Sequence, residues 1–393
     1  MMKCALIAIA LLITLDVQAG DYIQLAAKIN GHEVNLAYDT GCEAFVLFES
    51  TVREIGIKWD EPKPTVAFHP GKVNLGYTEQ VNLEIVGLSL KGRCRVLDPP
   101  LSDDLKIDGL IPWSFFREGI LYFNSHEYGM DGLNELPDDI ADWKAFRLKK
   151  SVPLLVFEID AADGSTIDVM IDTGADIGVA LPRNKFADWR KNHPESPAAV
   201  NDGHTAYSGR NVDEICWAEQ ISVGDLTISG VPVGPLYRGL EYNSELYDIV
   251  LGLYAISRME LIVDYPNGTL YIKPNPRPPR EYVHNRLGAV FVSSNSDAGD
   301  LIAHVIKDSA AYEAGVRNGD VLVKVDGVGI EDGNSASGIS TLSQFWSKPH
   351  GTKLNLELRR GDKPFEVSVI LQDILPPKKG SRVDPRISST QIY

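Results

Sequence analysis

Two stretches of this chain alternate apolar and polar residues in the same way and end on the same three residues. Val34-Asn35-Leu36-Ala37-Tyr38 runs into Asp39-Thr40-Gly41, and Ile167-Asp168-Val169-Met170-Ile171 runs into Asp172-Thr173-Gly174. A period of two predicts half-buried strands. Asn30-Gly31 precedes the first copy and Asp163-Gly164 the second, and both dipeptides favour the type I′ turn of a tight hairpin. Each copy is therefore predicted as strand, turn, strand, Asp-Thr-Gly. A second apolar run follows each triplet, Phe45-Val46-Leu47-Phe48 and Gly178-Val179-Ala180-Leu181-Pro182. The triplets lie 133 residues apart, a spacing that suits two related lobes and not a short solenoid repeat.

The same patterning divides the rest of the chain. Residues 20–130 are strand-rich and form a first lobe, with a short helix over 51–56 after the triplet. Residues 131–150 are predicted as a connector with one helical turn. A second lobe spans 151–273, with a helix over 183–190 as the counterpart of the 51–56 segment and an inserted loop over 192–203. Pro274-Asn275-Pro276-Arg277-Pro278-Pro279 opens a stiff, extended linker over 274–284, since proline fixes φ and lacks a backbone donor. A third domain over 285–375 alternates short strands with helical patterns at 309–314 and 342–346, and a basic, polar tail over 376–393 is expected to be mobile.

The N-terminus changes where this protein is expected to work. Met1-Met2-Lys3, a mostly apolar run from Cys4 to Leu15, and Val17-Gln18-Ala19 predict a signal peptide over residues 1–19, cleaved after Ala19. The apolar run falls short of the ~20 residues that span a bilayer, and no later segment is long and apolar enough to do so. The expected destination is the periplasm, the cell surface or the medium. Of the four cysteines, Cys42, Cys94 and Cys216 remain after cleavage, which excludes a dense disulfide framework. A Cys42–Cys94 pair stays open, with burial as free thiols the simpler reading.

Composition then removes rival chemistries. A formal net charge of −16 argues against nucleic acid, which needs a concentrated basic surface. The eight histidines are scattered without ligand spacing and no paired-cysteine motif occurs, so neither a metal nor another cofactor is expected. Neither a Gly-x-Ser-x-Gly nucleophile elbow nor a phosphate-binding glycine loop is present.

What remains is the pair of carboxylates. Two carboxyl groups held face to face share one proton, because like charges at contact distance cannot both ionise. One then accepts a proton from water while its neighbour donates one. Asp39 and Asp172 are the catalytic candidates. Thr40 and Thr173 supply hydroxyls that can tie the turns together, and Gly41 and Gly174 permit close backbone approach.

With those residues in place, the second copy resembles a retropepsin-type aspartic protease lobe. Ile171-Asp172-Thr173-Gly174-Ala175 matches the catalytic turn, Ile249-Val250-Leu251-Gly252 the apolar-apolar-glycine element beneath it, and the segment from Glu260 to Leu270 the closing hairpin of bacterial members. The first copy departs from that pattern at Cys42, where alanine or serine is usual, and at Pro112, which stands where the second lobe has Gly252. The resemblance implies a mainly β protein whose two lobes associate within one chain as a pseudo-dimer, much as pepsin-like enzymes do. It further implies flaps over an extended peptide substrate. The nominated flap tips are His69-Pro70-Gly71 and Tyr207-Ser208-Gly209.

The C-terminal domain resembles an α+β PDZ domain of the type found in bacterial envelope proteases. The resemblance rests on Leu287-Gly288-Ala289-Val290, on the run from Ser309 to Leu322, and on Val325-Asp326-Gly327. It implies that Leu287, Gly288, Ala289 and Val290 form a carboxylate-binding loop for a peptide or protein terminus, the chain's own Gln391-Ile392-Tyr393 being one candidate. The function expected from the whole chain is an exported aspartic endopeptidase acting on peptide or protein substrates. The competing reading is a catalytically silent, protease-like scaffold that binds peptides in the cell envelope. Cys42 and Pro112 favour that rival, and the intact Thr-Gly pairs oppose it.

Overall fold

A computed structural model describes residues 22–60, 74–97, 107–124, 129–205, 209–236, 246–277, 281–293, 300–329, 342 and 344–375. The predicted signal peptide, His69, Gly71, Tyr207 and the tail over 376–393 lie outside the described residues. The fold is mainly β.

The alternation at the first triplet builds the hairpin it predicts. Gln24–Ile29 pairs antiparallel with His32–Asp39, and Asn30 and Gly31 turn the chain with φ of 51° and 87°. Both central residues are left-handed, as a type I′ turn requires. The second copy reaches the same arrangement by another turn. Val156–Asp160 pairs with Thr166–Asp172, but there Gly164 adopts positive φ without Asp163, the Gly164 N–H bonds the Ala161 carbonyl, and the Asp163 carboxylate accepts from Ser165 N at 2.9 Å. The longer loop has room for that side-chain bond, so the two-residue turn is not formed.

Each triplet-bearing strand then receives a parallel partner. Leu36 to Asp39 pairs in register with Gly109–Pro112, and Val169 to Asp172 with Ile249–Gly252. Short strands Val46–Phe48 and Val179–Leu181 close onto the other side of those partners. Among the described residues, the first triplet strand lies in a nine-stranded sheet and the second in a twelve-stranded one.

Strand pairing redraws the expected lobe edges. Ile120–Asn124 and Gly129–Leu133 form a hairpin that joins the second sheet through Met259–Asp264. The stretch read as a connector contains a 3-10 turn at Ile140–Asp142 and then the strand Lys144–Leu148, which sits between Thr269–Pro274 and Val156–Asp160. The expected loop over 192–203 is corrected as well. Ala198–Thr205 is a strand, paired along its length with Gly209–Val223, and it is preceded by the helix Arg183–Asn192. One apolar core runs through both lobes, including Tyr38, Phe123, Phe157 and Leu261.

The C-terminal unit has its own core, built from Leu287, Phe291, Leu322, Trp346 and Leu354 among others. Its sheet runs Ala289–Ser293, Leu301–Val305, Val321–Val325, Lys353–Arg360, Lys363–Ile370, so Ala289–Ser293 is an edge strand among the described residues. That edge lies beside the second lobe, where Ala198–Thr205 approaches it to within 8 Å between Cα atoms.

His284 ties the entry of this unit to its exit. Its Nε2 accepts the N–H groups of Ile374 and Leu375 at 3.0 and 3.1 Å, and its Nδ1 faces the Tyr282 carbonyl at 3.2 Å. Those contacts require a neutral ring with its proton on Nδ1. Burial, followed by Arg286, holds the imidazole below its ordinary pKa, against the opposing influence of the Tyr282 carbonyl, Asp373 and Glu281. A depressed histidine stabilises the fold above its ordinary value of about 6.5 and ceases to do so as pH falls below it. Replacing His284 with Gln is therefore expected to lower the melting temperature near pH 7.5 and to matter less near pH 5, checked by paired thermal melts.

Candidate active site and peptide-docking loop

The two parallel pairings bring the triplets together. Asp39 and Asp172 end their strands, and each carboxylate accepts the N–H two residues on, from Gly41 at 2.8 Å and from Gly174 at 2.9 Å. Each carboxyl also lies over the glycine of the opposite turn. A Cβ on Gly41 would stand 2.7 Å from Asp172 Cγ, and one on Gly174 would stand 2.4 Å from Asp39 Cγ. Any larger residue would push the carboxyls apart, which is the physical reason for glycine at both positions.

The threonines lock the same crossing. Thr40 Oγ1 accepts from Thr173 N at 3.0 Å and donates to the Ile171 carbonyl at 2.6 Å. Thr173 Oγ1 accepts from Thr40 N at 3.1 Å and donates to the Tyr38 carbonyl at 2.8 Å. Both threonines are buried. Each hydroxyl thus satisfies one donor and one acceptor across the two turns, within a single chain.

Burial raises both aspartates. Burial, then the negative charge of Asp172, then a hydrogen bond with Asp172 hold the Asp39 carboxyl well above the usual carboxylate range, with the Gly41 N–H opposing. Burial also raises Asp172, but the Gly174 N–H and the hydrogen bond from Asp39 pull it back. Both carboxyls are raised, so the pair titrates as a unit that holds one shared proton above the usual carboxylate range.

The departures of the first lobe leave this geometry intact. Cys42 N donates to the Asp39 carbonyl at 3.2 Å, as Ala175 N does to the Asp172 carbonyl at 3.4 Å. The Cys42 thiol donates to the Ala44 carbonyl, and burial followed by Asp39 pushes its pKa up to about 12. Pro112 lies opposite Asp39 in the register in which Gly252 lies opposite Asp172. Gly252 N donates to the Gly178 carbonyl, a bond that proline cannot make, and the chain continues as a 3-10 turn at Trp113–Phe115 in place of the helix Leu253–Ile256.

Two carboxylates missed in the sequence brace the triplet strands. Asp108 accepts from Asn35 N at 2.7 Å and from Thr51 Oγ1 at 3.1 Å, while Asp248 accepts from Asp168 N at 2.9 Å. Asp168 is itself ion-paired with Lys149. The signal was present: an aspartate stands four residues before both Pro112 and Gly252. Asp248→Ala is expected to cost about 1–3 kcal/mol in chemical denaturation, and Asp248→Asn less, because the amide keeps an acceptor for Asp168 N.

Of the nominated flap residues, Gly209 begins the strand Gly209–Val223, opposite Thr205, and His69, Gly71 and Tyr207 are not among the described residues. Strands do flank both nominated segments, since Trp59–Asp60 pairs with Asn74–Thr78. Arg183 grips Asp213 through two bonds of 2.8 and 3.0 Å and so ties the 183–192 helix to the second hairpin. The described thiols of Cys42, Cys94 and Cys216 form no disulfide, and no cluster of metal-ligating side chains occurs among the described residues. Nor does any described helix have the length and apolarity to cross a membrane.

In the C-terminal unit, Gly288 turns with φ of +73°, and a Cβ there would stand 2.2 Å from Ser309 Cβ. Ser309 caps the helix Ala310–Glu313 by accepting from Tyr312 N, and its hydroxyl donates to the Gly288 carbonyl at 3.1 Å. The family model for the PDZ domain matches residues 285–371. This segment is a PDZ domain. Leu287 to Val290 lead into the edge strand of the PDZ sheet, the position from which a docked peptide can extend the sheet. No curated protein matches the chain. Among solved structures, the retroviral protease-like domain of Ddi1 from Leishmania major is similar at 17% identity over 24% of this chain and 73% of that one, with a TM-score of 0.20.

Proposed function

We propose that this protein is an aspartic-type endopeptidase of retropepsin-like, two-lobed construction, whose PDZ domain docks a peptide segment of substrate or partner. The observation that carries the reading is the meeting of the two Asp-Thr-Gly turns, with facing carboxyls and crossed threonine hydroxyls. Asp172, as carboxylate, takes a proton from a water held between the pair. The hydroxide equivalent attacks the peptide carbonyl carbon while Asp39 passes its proton to the carbonyl oxygen. Collapse of the tetrahedral species breaks the C–N bond as Asp172 gives its proton to the leaving amine and Asp39 takes one back from the former carbonyl oxygen, so one water is consumed for each bond cut and the dyad returns to its starting state. The hairpin of Ala198–Thr205 and Gly209–Val223 would cover one side of the bound peptide. A docked PDZ ligand raises the local concentration of its own chain near the dyad. Export, with cleavage after Ala19, belongs to the same proposal.

The test is mass spectrometry of a broad peptide library incubated with mature protein from acid to neutral pH. Internal cleavage, blocked by a peptide isostere carrying a hydroxyl where the scissile carbonyl would be, is the expected result. A library left untouched at every pH would overturn the proposal. For export, the N-terminal sequence of protein recovered from outside the cytoplasm is expected to begin at Gly20, and a chain recovered there with residues 1–19 still attached would reject cleavage after Ala19.

A further inference from the structure

The loop expected to receive a carboxylate already holds a side chain of its own domain. Asn285 Oδ1 accepts the N–H groups of both Leu287 and Gly288, each at 3.0 Å. Asn285 Nδ2 donates to the Ala289 carbonyl at 2.8 Å. The reverse orientation of the amide would aim its NH₂ at two backbone donors and its oxygen at a carbonyl, so the network itself fixes the assignment.

The surrounding backbone explains why those amides face Asn285. The Leu287 carbonyl is held from the other side by Ala311 N at 3.0 Å, and the Gly288 carbonyl by Ile306 N at 3.0 Å and Ser309 Oγ. In a trans peptide the N–H points opposite the C=O. The N–H groups of Gly288 and Ala289 are therefore turned to the side on which Asn285 sits. A chain terminus docked there would place a carboxylate oxygen on the loop amides and its last N–H on a strand carbonyl. Asn285 makes both kinds of bond at once.

The neighbouring cation is also engaged. Arg286 is buried, and its guanidinium is bound to Asp373 at 2.6 Å, to Glu281 at 2.6 Å and to the Ser347 carbonyl at 2.8 Å. An incoming carboxylate thus meets the Leu287 and Gly288 amides already satisfied and a charge already compensated. Displacing Asn285 would trade one set of hydrogen bonds for another and leave the side-chain amide to find new partners.

We propose that Asn285 is a specificity-determining residue that makes this PDZ domain indifferent to a free C-terminal carboxylate, so that its ligands are internal extended segments and not chain ends. The proposal rests on the reading that the domain docks peptides, and it narrows the class of peptide. It also removes the chain's own terminus, Tyr393, as a carboxylate-anchored occupant of the groove.

The experiment uses the full mature chain carrying Asp39→Asn and Asp172→Asn, so that probes are not cut. A randomised decapeptide library with free C-terminal carboxylates is compared with the same library carrying C-terminal amides. Binding is measured to the parent and to its Asn285→Ala and Asn285→Asp variants. The expected result is that the parent binds the two libraries within about threefold of each other, while Asn285→Ala gains about a tenfold preference for carboxylates, roughly one charge-assisted hydrogen bond. Asn285→Asp keeps an acceptor on the loop amides and adds a repelling charge, and is expected to remain without that preference. A parent that already favours carboxylates by tenfold overturns the proposal, as does an Asn285→Ala variant that stays folded by thermal melt and gains no preference. If Asn285→Ala fails to fold, the parent's own ratio decides. Failure of every protein to bind either library would reject peptide docking itself, the result expected if the approach of Ala198–Thr205 closes the edge strand.

Discussion

Asp172→Asn is expected to fold normally and to lower kcat for peptide cleavage by about 10²–10⁴-fold, the range supplied by a positioned general acid or base. The amide retains an acceptor for Gly174 N, so the turn survives, but it cannot take a proton from water. Asp39→Asn is expected to be as inactive for a different reason. Its amide can hydrogen-bond a substrate carbonyl but cannot transfer a proton to it. The stability of both variants should also respond to pH. Both carboxyls are raised in the folded state, burial being the first cause for each. Their contribution to stability is therefore complete below the ordinary carboxylate range of about 4 and is lost as pH rises through the folded values. Each asparagine variant removes a raised group and is expected to stabilise the protein near pH 7.5 and to have little effect near pH 4. Urea titrations at the two pH values measure this. Equal cleavage by wild type and both variants would reject the dyad.

The second large effect is expected at the threonine crossing. Thr40→Val removes the hydroxyl that accepts from Thr173 N and donates to the Ile171 carbonyl, and so leaves two buried backbone groups without partners. At about 1–3 kcal/mol for each unsatisfied group, the loss is about 2–6 kcal/mol, a large part of the ~5–15 kcal/mol that holds an ordinary domain together. Thr173→Val should cost a similar amount, since it orphans Thr40 N and the Tyr38 carbonyl. Thr40→Ser keeps the hydroxyl and is expected to recover most of the loss, which separates the hydrogen bonds from the methyl group. The double valine variant should cost less than the two single changes together, because both act on one crossing. Denaturant titration gives all four values, and a loss below about 0.5 kcal/mol for Thr40→Val would show that the crossing does not hold the lobes.

Much of this site was legible because its determinants are local. Asn30-Gly31 formed its type I′ turn, and the alternation before each triplet became the predicted strand, since period-two burial is written in the residues themselves. Where the reading failed, the deciding partner was distant. Asn201, Asp202 and Gly203 have poor strand propensity and suggested a loop, yet pairing with Gly209–Val223 supplies their ladder. Lys144–Leu148 looked like connector because its two sheet neighbours lie at 269–272 and 157–158. Asp163-Gly164 matched a hairpin dipeptide, but a side-chain bond to Ser165 favoured the longer turn.

The sequence by itself determined that there are two Asp-Thr-Gly strands in equivalent settings, that a PDZ segment follows them, and which residue types stand at each turn. Repetition, periodicity and turn preference all act within a few residues, so a linear reading can follow them. Only the tertiary structure decided that the two turns meet, that burial raises both carboxyls, that Asp108 and Asp248 brace the strands beneath them, and that Asn285 fills the loop nominated for a carboxylate. Each of those depends on the distance between groups, on burial, or on which face of a peptide plane looks outward, and the order of residues along the chain carries none of these.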